Sequence, residues 1–332
     1  MPGCPLFSLC HLTCDVSVDP SSRLVRLDLA IAFVGVLISC SHSLGKQKKR
    51  KAREEALCEA LTLPVASEEA ILRLSLAQIV DACATRESSP SIIRDAFLRQ
   101  ALKAQAATNC VAEFLPDNSA AAQEQDTRPL LGVPISIKDC HDYEGADSTL
   151  GYSCNVGKPA SSHSVIVQML LDAGATLHVK TTVPTGLVAL ETDSDLYGYC
   201  PNPYNPAFAS GASSGGGAAL LAGGGSKIEI GSDFGGSVRV PAHFCGVYSI
   251  KASHGRFPET GLVPFCAGLQ GVHHVTAPLA QNLEDLTEFC RRFVDLKPWI
   301  HCHTVRLFPP DWPVLRTDPS VRSCPLAPSR IQ

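Results

Sequence analysis

Two hydrophobic periods alternate along the chain between residues 75 and 182. Helical spacing of apolar positions is found in three stretches: residues 76–86, 90–107 and 164–174. Ser75 is placed to cap the first of them, and Pro90 begins the second. Strand-like alternation or β-branched content is found in three others: residues 108–115, 130–139 and 175–182. Helices that alternate with strands predict an α/β fold.

The pattern changes to glycine, serine and short apolar segments between residues 183 and 275. Residues 202–237 have the sequence NPYNPAFASGASSGGGAALLAGGGSKIEIGSDFGGS. Within them, AALLA and IEI have the apolar pattern of a packed helix and a packed strand. A flexible Gly-Ser linker would carry no such core-facing residues, so we expect this region to be folded. A further helix follows Asn282, which is placed to cap it.

The N-terminal region combines a short apolar run with a basic block. Residues 27–40 are LDLAIAFVGVLISC, and residues 46–53 are KQKKRKAR. The run is shorter than the ~20 residues that span a bilayer, but the basic block after it fits a cytoplasmic flank. We hypothesise a single-pass membrane anchor at about residues 24–44 that leaves the rest of the protein facing the cytosol. The alternative is a buried or amphipathic N-terminal helix of a soluble protein.

Composition and charge narrow the class of protein. The chain has 332 residues, of which 45% are hydrophobic, so it can build a substantial core. Its net charge of −4 excludes the basic field typical of nucleic-acid-binding proteins. Fifteen cysteines occur without CxxC pairs or zinc-finger spacing, which predicts buried, reduced thiols. We expect an N-terminal region (1–53), a folded domain (54–296) and an irregular Pro-rich tail (297–332).

Candidate chemistry is concentrated in one lysine and two Gly-Ser segments. Lys138 ends the apolar strand VPISIK, where burial would lower its pKa and make it a general base. The alternative is a lysine whose ammonium reaches solvent at the strand end. Ser213 lies in GASSGGG, and Ser237 closes GSDFGGS. Glycines before Ser237 would let consecutive N–H groups converge on one point, as in an oxyanion hole beside a nucleophilic serine.

Two other motifs offer alternative interpretations of the same segments. A phosphate-binding P-loop is excluded, because Ser226 precedes Lys227 in the wrong order. Residues 211–215 match the nucleophile elbow GxSxG, which would make Ser213 the nucleophile of an α/β-hydrolase. That hypothesis needs a strand directly before the motif and a later Asp and His. The residues that fit formally are Asp285 with His301 or His303.

Three ordered motifs carry a family resemblance. They are GVPISIKD at 132–139, GASSGGGAALLAGG at 211–224 and GSDFGGSVRVPAHFCGVYSIK at 231–251. Ser213 follows Lys138 by 75 residues, and Ser237 follows Ser213 by 24. With the smaller segments DSTLGY and SHGRFPETGLV, the sequence resembles the fatty-acid amide hydrolase and fungal acetamidase branch of the amidase signature family.

The resemblance implies a fold and a reaction. The fold is an amidase-signature fold, in which helices cover a mixed β-sheet core, here with an N-terminal hydrophobic helix. The reaction is hydrolysis of a carboxylic acid amide to acid and amine by a Ser-Ser-Lys triad, through an acyl-enzyme. Ser237 is the nucleophile, Ser213 bridges it to the base from within a cis peptide, and Lys138 is the base.

The resemblance also assigns the surrounding groups. Backbone N–H groups of the glycine loop hold the oxyanion; these are those of Phe234, Gly235, Gly236 and Ser237. Leu187 makes a backbone contact with the acyl chain, while Ser214 and Arg239 shape the loop around the nucleophile. The reaction needs neither a metal nor a cofactor. The expected partners are a small amide substrate, a membrane and a second copy of the chain in a homodimer, with no nucleic acid.

The sequence departs from the family in three places. Ala212 replaces a glycine, and Gly217 stands where many relatives have Ser or Glu. The match ends near residues 297–299, before the family's C-terminal portion, so we expect a C-terminally truncated amidase domain. The alternative function is therefore a non-catalytic amidase-like fragment. The substrate is expected to be either a lipid amide or a short aliphatic amide.

Overall fold

The structure is a computed structural model that describes residues 43–53, 55, 68–119, 126–266, 268–269 and 271–306. The membrane anchor predicted at about residues 24–44 lies almost entirely outside these ranges, as does most of the Pro-rich tail. Among the described residues, none of the helices combines the length and the apolar character needed to cross a bilayer.

The helices and strands follow the order predicted between residues 75 and 182. After a helical segment at 43–53, the helices are α1 (Glu68–Arg73), α2 (Leu76–Ala84), α3 (Pro90–Thr108), α4 (Val165–Asp172), α5 (Gly215–Ala222), α6 (Arg239–Cys245), α7 (Leu283–Asp295) and α8 (Pro298–His301). The strands are β1 (Val111–Phe114), β2 (Pro134–Lys138), β3 (Thr176–Thr181), β4 (Ile228–Asp233), β5 (Tyr248–Ser249) and β6 (Val275–Ala280).

The strands form one mixed sheet with the order β1-β3-β2-β4-β6-β5. The central strand β2 is parallel to both β3 and β4, while β1, β5 and β6 pair antiparallel with their neighbours. The mixed α/β sheet predicted from the sequence is therefore confirmed. Because β2 and β4 are parallel, Lys138 and Asp233 at their carboxyl ends reach the same edge of the sheet.

Helices cover both faces of this sheet. On one face, Ile135 and Ile137 of β2 pack in a cluster with side chains of α2, α4 and α7. On the other face, Val179 of β3 packs with side chains of α3, α5 and α6. The cysteines of the described ranges are all free, and most are buried, as predicted.

Local signals explain which elements the sequence predicted. Ser75 forms a capping box at α2, and Pro90 occupies the first turn of α3. The sequence analysis did not predict several short elements, α1, α6 and β5, nor the six-residue strand β6. Pro278 interrupts the strand pattern of β6, which pairs with β4 and the two-residue strand β5. Within the stretch expected to be irregular, Pro298 begins the short helix α8.

Phe289 of α7 offers a test of this packing. Its side chain is fully buried and stacks on Phe293. We expect Phe289→Ala to lower the free energy of unfolding by about 3–5 kcal/mol, because a large core side chain is lost and a cavity remains. Leu283, at the start of α7, is 58% exposed. Leu283→Ala is the matched control and should cost under about 0.5 kcal/mol. Urea unfolding followed by circular dichroism measures both, and equal losses would contradict the packing described.

Candidate active site

Lys138 is the last residue of β2, at the edge of the sheet, and its side chain is fully buried. Its Nζ donates to Ser213 Oγ at 2.7 Å, to Ser232 Oγ at 3.0 Å and to the Ser232 carbonyl oxygen at 3.2 Å. Burial lowers the pKa of Lys138, although Cys140, Glu229 and Asp233 act in the opposite direction. The side chain does not reach solvent, so the alternative of a solvated strand-end lysine is wrong.

Ser213 lies in the turn that precedes α5. The peptide bond between Ala212 and Ser213 is cis, as the family resemblance implied. Ala212 does not adopt a positive φ, so the turn accommodates its Cβ. Gly211 does have a φ of +77°, and a Cβ there would lie 2.9 Å from Pro241 Cα. The turn therefore tolerates alanine at 212 but requires glycine at 211.

The glycine loop after β4 is held by the carboxylate of Asp233. Its Oδ1 accepts the Gly236 N–H at 2.8 Å, and its Oδ2 accepts the Val238 N–H at 3.1 Å. The Arg239 guanidinium adds two hydrogen bonds of 3.0 Å. Burial alone would raise the pKa of Asp233, but Arg239 and the two N–H groups hold it below its ordinary value. Arg239 thus contacts the loop as expected, whereas Asp233 was not predicted.

One pocket brings the predicted substrate-binding residues together. A pocket of about 300 Å³ is lined by Leu187, Ser213, Phe234, Gly235, Gly236 and Ser237. Val188, Leu190 and Phe265 add apolar surface, and His274 adds an imidazole. A cleft of about 500 Å³ beside Lys46 and Arg50 is larger, but neither serine lines it. The smaller pocket is the candidate active site because it joins the two serines to the glycine loop.

Ser237 and Ser213 both line this pocket, and a backbone hydrogen bond joins their segments. The Ser237 carbonyl oxygen accepts the Ser214 N–H at 3.0 Å. In the part of the chain that the structure describes, the two hydroxyls do not hydrogen-bond to each other directly. Of the four backbone N–H groups expected to hold an oxyanion, that of Gly236 donates to Asp233 Oδ1 in this structure.

Three further side chains at the site were missed from the sequence. Ser232 supplies two of the three acceptors of Lys138. His274 lines the pocket, and burial lowers its pKa to about 4, which keeps the ring neutral. Glu229 is fully buried, and burial raises its pKa to about 7. Its place in the alternating segment IEI was the available signal, since alternation turns it away from the two isoleucines. Among the described residues, no three His, Cys, Asp or Glu side chains group as a metal site.

The fold and the site define a class, an α/β protein with a buried lysine hydrogen-bonded to a serine beside a glycine loop. The family model described as Amidase matches residues 93–313. The chain therefore belongs to the amidase family, as the sequence motifs predicted.

Relatives and solved structures agree with this family. The chain is 35% identical to the acetamidase of Emericella nidulans over 70% of its own length and 44% of that protein. It is also 35% identical to fatty-acid amide hydrolase 1 of Sus scrofa, over 79% of its length and 46% of that protein. A solved fatty acid amide hydrolase superposes with a TM-score of 0.72 at 28% identity, over 81% of this chain and 53% of that one. The chain thus spans about half the length of the relatives it matches.

The buried carboxyl of Glu229 predicts a pH-dependent stability. Its pKa is about 7 in the folded chain against an ordinary value of 4.5, so the folded state holds the proton more tightly. Stability is therefore lost as the pH rises from about 4.5 to about 7. Glu229→Gln does not titrate, so its free energy of unfolding should gain about 3 kcal/mol relative to the parent across that range. Urea unfolding at a series of pH values measures the difference. A constant difference would contradict the raised pKa.

Proposed function

We propose that the chain hydrolyses a carboxylic acid amide to an acid and an amine through Ser237, Ser213 and Lys138. The observation that carries the proposal is the 2.7 Å hydrogen bond from the buried Lys138 amine to Ser213 Oγ. Membership of the amidase family and the names of the relatives support it. Because the chain spans about half of those relatives, the activity is proposed for this chain rather than carried over.

Ser237 acts as the nucleophile in this proposal. Its hydroxyl attacks the amide carbonyl while its proton passes by way of Ser213 to neutral Lys138. The N–H groups of Phe234, Gly235 and Ser237 stabilise the tetrahedral oxyanion. The proton then returns along the same path to the departing amine, and water hydrolyses the acyl-enzyme by the reverse relay. Full burial of Lys138 supports its role as base, because burial favours the neutral amine.

Two single variants test these roles. We expect Ser237→Ala to lose amide hydrolysis by at least about 10³-fold and to lose covalent labelling by a fluorophosphonate. We expect Lys138→Ala to lower kcat/KM by about 10²–10⁴-fold, the usual value of a general base. Mass spectrometry of the labelled protein locates the modified serine. Labelling that survives Ser237→Ala but not Ser213→Ala would instead support the nucleophile elbow.

Two features argue against that elbow. The segment before Ser213 is irregular rather than a strand. Asp285 accepts the Leu76 N–H at 2.7 Å and pairs with Lys227, in the helical layer formed by α2 and α7. The remaining alternative is a non-catalytic amidase-like fragment. Cooperative thermal unfolding of the chain without any amide turnover would favour it.

An amide with an apolar acyl group is the substrate class that the pocket favours. Leu187, Val188, Leu190, Phe234 and Phe265 line it, which suits a hydrocarbon chain. Both substrates expected from the sequence, a lipid amide and a short aliphatic amide, belong to this class.

A series of linear amides of increasing acyl length separates the two substrates. Each methylene that enters the pocket contributes about 0.8 kcal/mol, so kcat/KM should rise about fourfold per carbon until the pocket is filled. A long-chain N-acylethanolamine and acetamide are the two ends of the series. A rate that is highest for acetamide would contradict the expected rise with acyl length and favour a short aliphatic amide as the substrate.

Membrane association and a homodimer stay predictions from the sequence. If the anchor at about residues 24–44 spans a membrane, the helical segment 43–53 follows directly after it. Lys49 in that segment pairs with Glu113 at 2.6 Å and with Asp147 at 3.0 Å, which ties the segment to the folded domain. Sedimentation of the full chain with liposomes tests the first prediction, and light scattering tests the second.

A further inference from the structure

A second buried ionisable group lies beside Lys138, and the reaction proposed above does not use it. Glu229 on β4 is in register with Ser136 of β2. Its Oε1 accepts a hydrogen bond of 2.6 Å from Thr181 Oγ1 on β3. Because β2 lies between β4 and β3, the Glu229 side chain crosses β2 to make this contact. Thr181 is in register with Lys138, so the crossing runs between Ser136 and Lys138 on one face of the sheet.

The helix packed over this face leaves room for the carboxyl. A Cβ added to Gly217 of α5 would overlap the carboxyl group of Glu229. The space beside Gly217 on the helix is thus filled by a carboxyl from the sheet. Helix α5 has the sequence GGGAALLA and contributes no charged or titratable group.

Lys138 is the cation that faces this carboxyl. On β3, Lys180 is instead paired with Asp139 at 3.3 Å. At the end of β4, Asp233 is paired with Arg239. The second oxygen of Glu229, Oε2, has no hydrogen-bond partner among the residues that the structure describes. Glu229 therefore lies against the strand that carries Lys138 and interacts with it electrostatically, and Cys140 and Asp233 act on Lys138 in the same direction.

We propose that Glu229 is a positioning residue that sets the basicity of Lys138. As a carboxylate it favours the ammonium form of Lys138, and as a neutral acid it favours the free amine that accepts the proton of Ser213. The inference rests on the proposed function, since it requires Lys138 to act as the base. Burial raises the pKa of Glu229 to about 7, so both forms are accessible near neutral pH.

The test is the pH profile of the site, measured on the full chain in two ways. One readout is kcat/KM for amide hydrolysis, and the other is the rate of fluorophosphonate labelling at Ser237. In Glu229→Gln the negative charge is absent, so the pKa of Lys138 falls and more of it is neutral at a given pH. We expect the acid limb of both profiles to move to lower pH by about one unit, the low end of the effect of an adjacent charge.

A second variant alters Glu229 indirectly, through its hydrogen-bond donor Thr181 on β3. Thr181→Val keeps the shape of the side chain but removes the hydroxyl that donates to Glu229. The carboxylate then loses its hydrogen bond, its pKa rises, and the acid limb should move in the same direction by a smaller amount. Asp285→Asn is the matched control, because it removes another buried, lysine-paired carboxyl in a different layer. It should leave both profiles where they are.

The outcomes separate the two proposals. Unmoved profiles in Glu229→Gln and Thr181→Val would overturn the role of Glu229 and leave the amidase function intact. If Glu229→Gln does not unfold cooperatively, the Thr181→Val profile decides alone. Labelling of Ser237 that persists unchanged in Lys138→Ala would instead overturn Lys138 as the base, and with it the inference.

Discussion

The burial of an amine at the centre of the sheet is the constraint on which the site depends. An ammonium removed from water without a direct carboxylate partner is costly, so the interior favours the neutral amine. Lys138 meets this cost with three oxygen acceptors from Ser213 and Ser232. Those acceptors come from two different segments, the turn before α5 and the end of β4. The hydrogen bonds that the buried Lys138 amine needs thus hold both of these segments at the same edge of the sheet.

The close approach of α5 to the sheet is what allows this arrangement. A Cβ at Gly215, Gly216 or Gly217 would overlap Thr192, Thr182 or Glu229, respectively. Glycines therefore let the first turn of α5 lie directly against the polar face of the strands. Ser213 directly precedes this turn. The close packing of α5 on the sheet therefore helps to place the Ser213 hydroxyl within hydrogen-bonding distance of the Lys138 amine. These three glycines therefore allow α5 to pack closely on the sheet, in addition to any role in directing N–H groups to one point.

Much of the fold was predictable from periodicity, and the rest was not for identifiable reasons. Helices α2, α3 and α4 have caps or a helical apolar period, and β2 and β3 have the composition of buried strands. Strand β6 was not predicted, because Pro278 lies inside it and because its position depends on pairing with β4. At the site, Lys138 and both serines stand out in motifs. Ser232 and Glu229 do not, because their partners are fixed by register between strands far apart in sequence.

The two carboxyls of β4 show how the sheet distributes charge around the lysine. Asp233 receives Arg239 and two N–H groups, so its pKa is lowered and its charge is held by those partners. Glu229 receives one hydroxyl, and burial raises its pKa instead. Asp233 is therefore held as a carboxylate by its partners, whereas burial brings the pKa of Glu229 to about 7. Of these two carboxyls, both of which act on Lys138, the one beneath α5 is therefore the one whose charge changes near neutral pH, even though Asp233 lies next to the glycine loop.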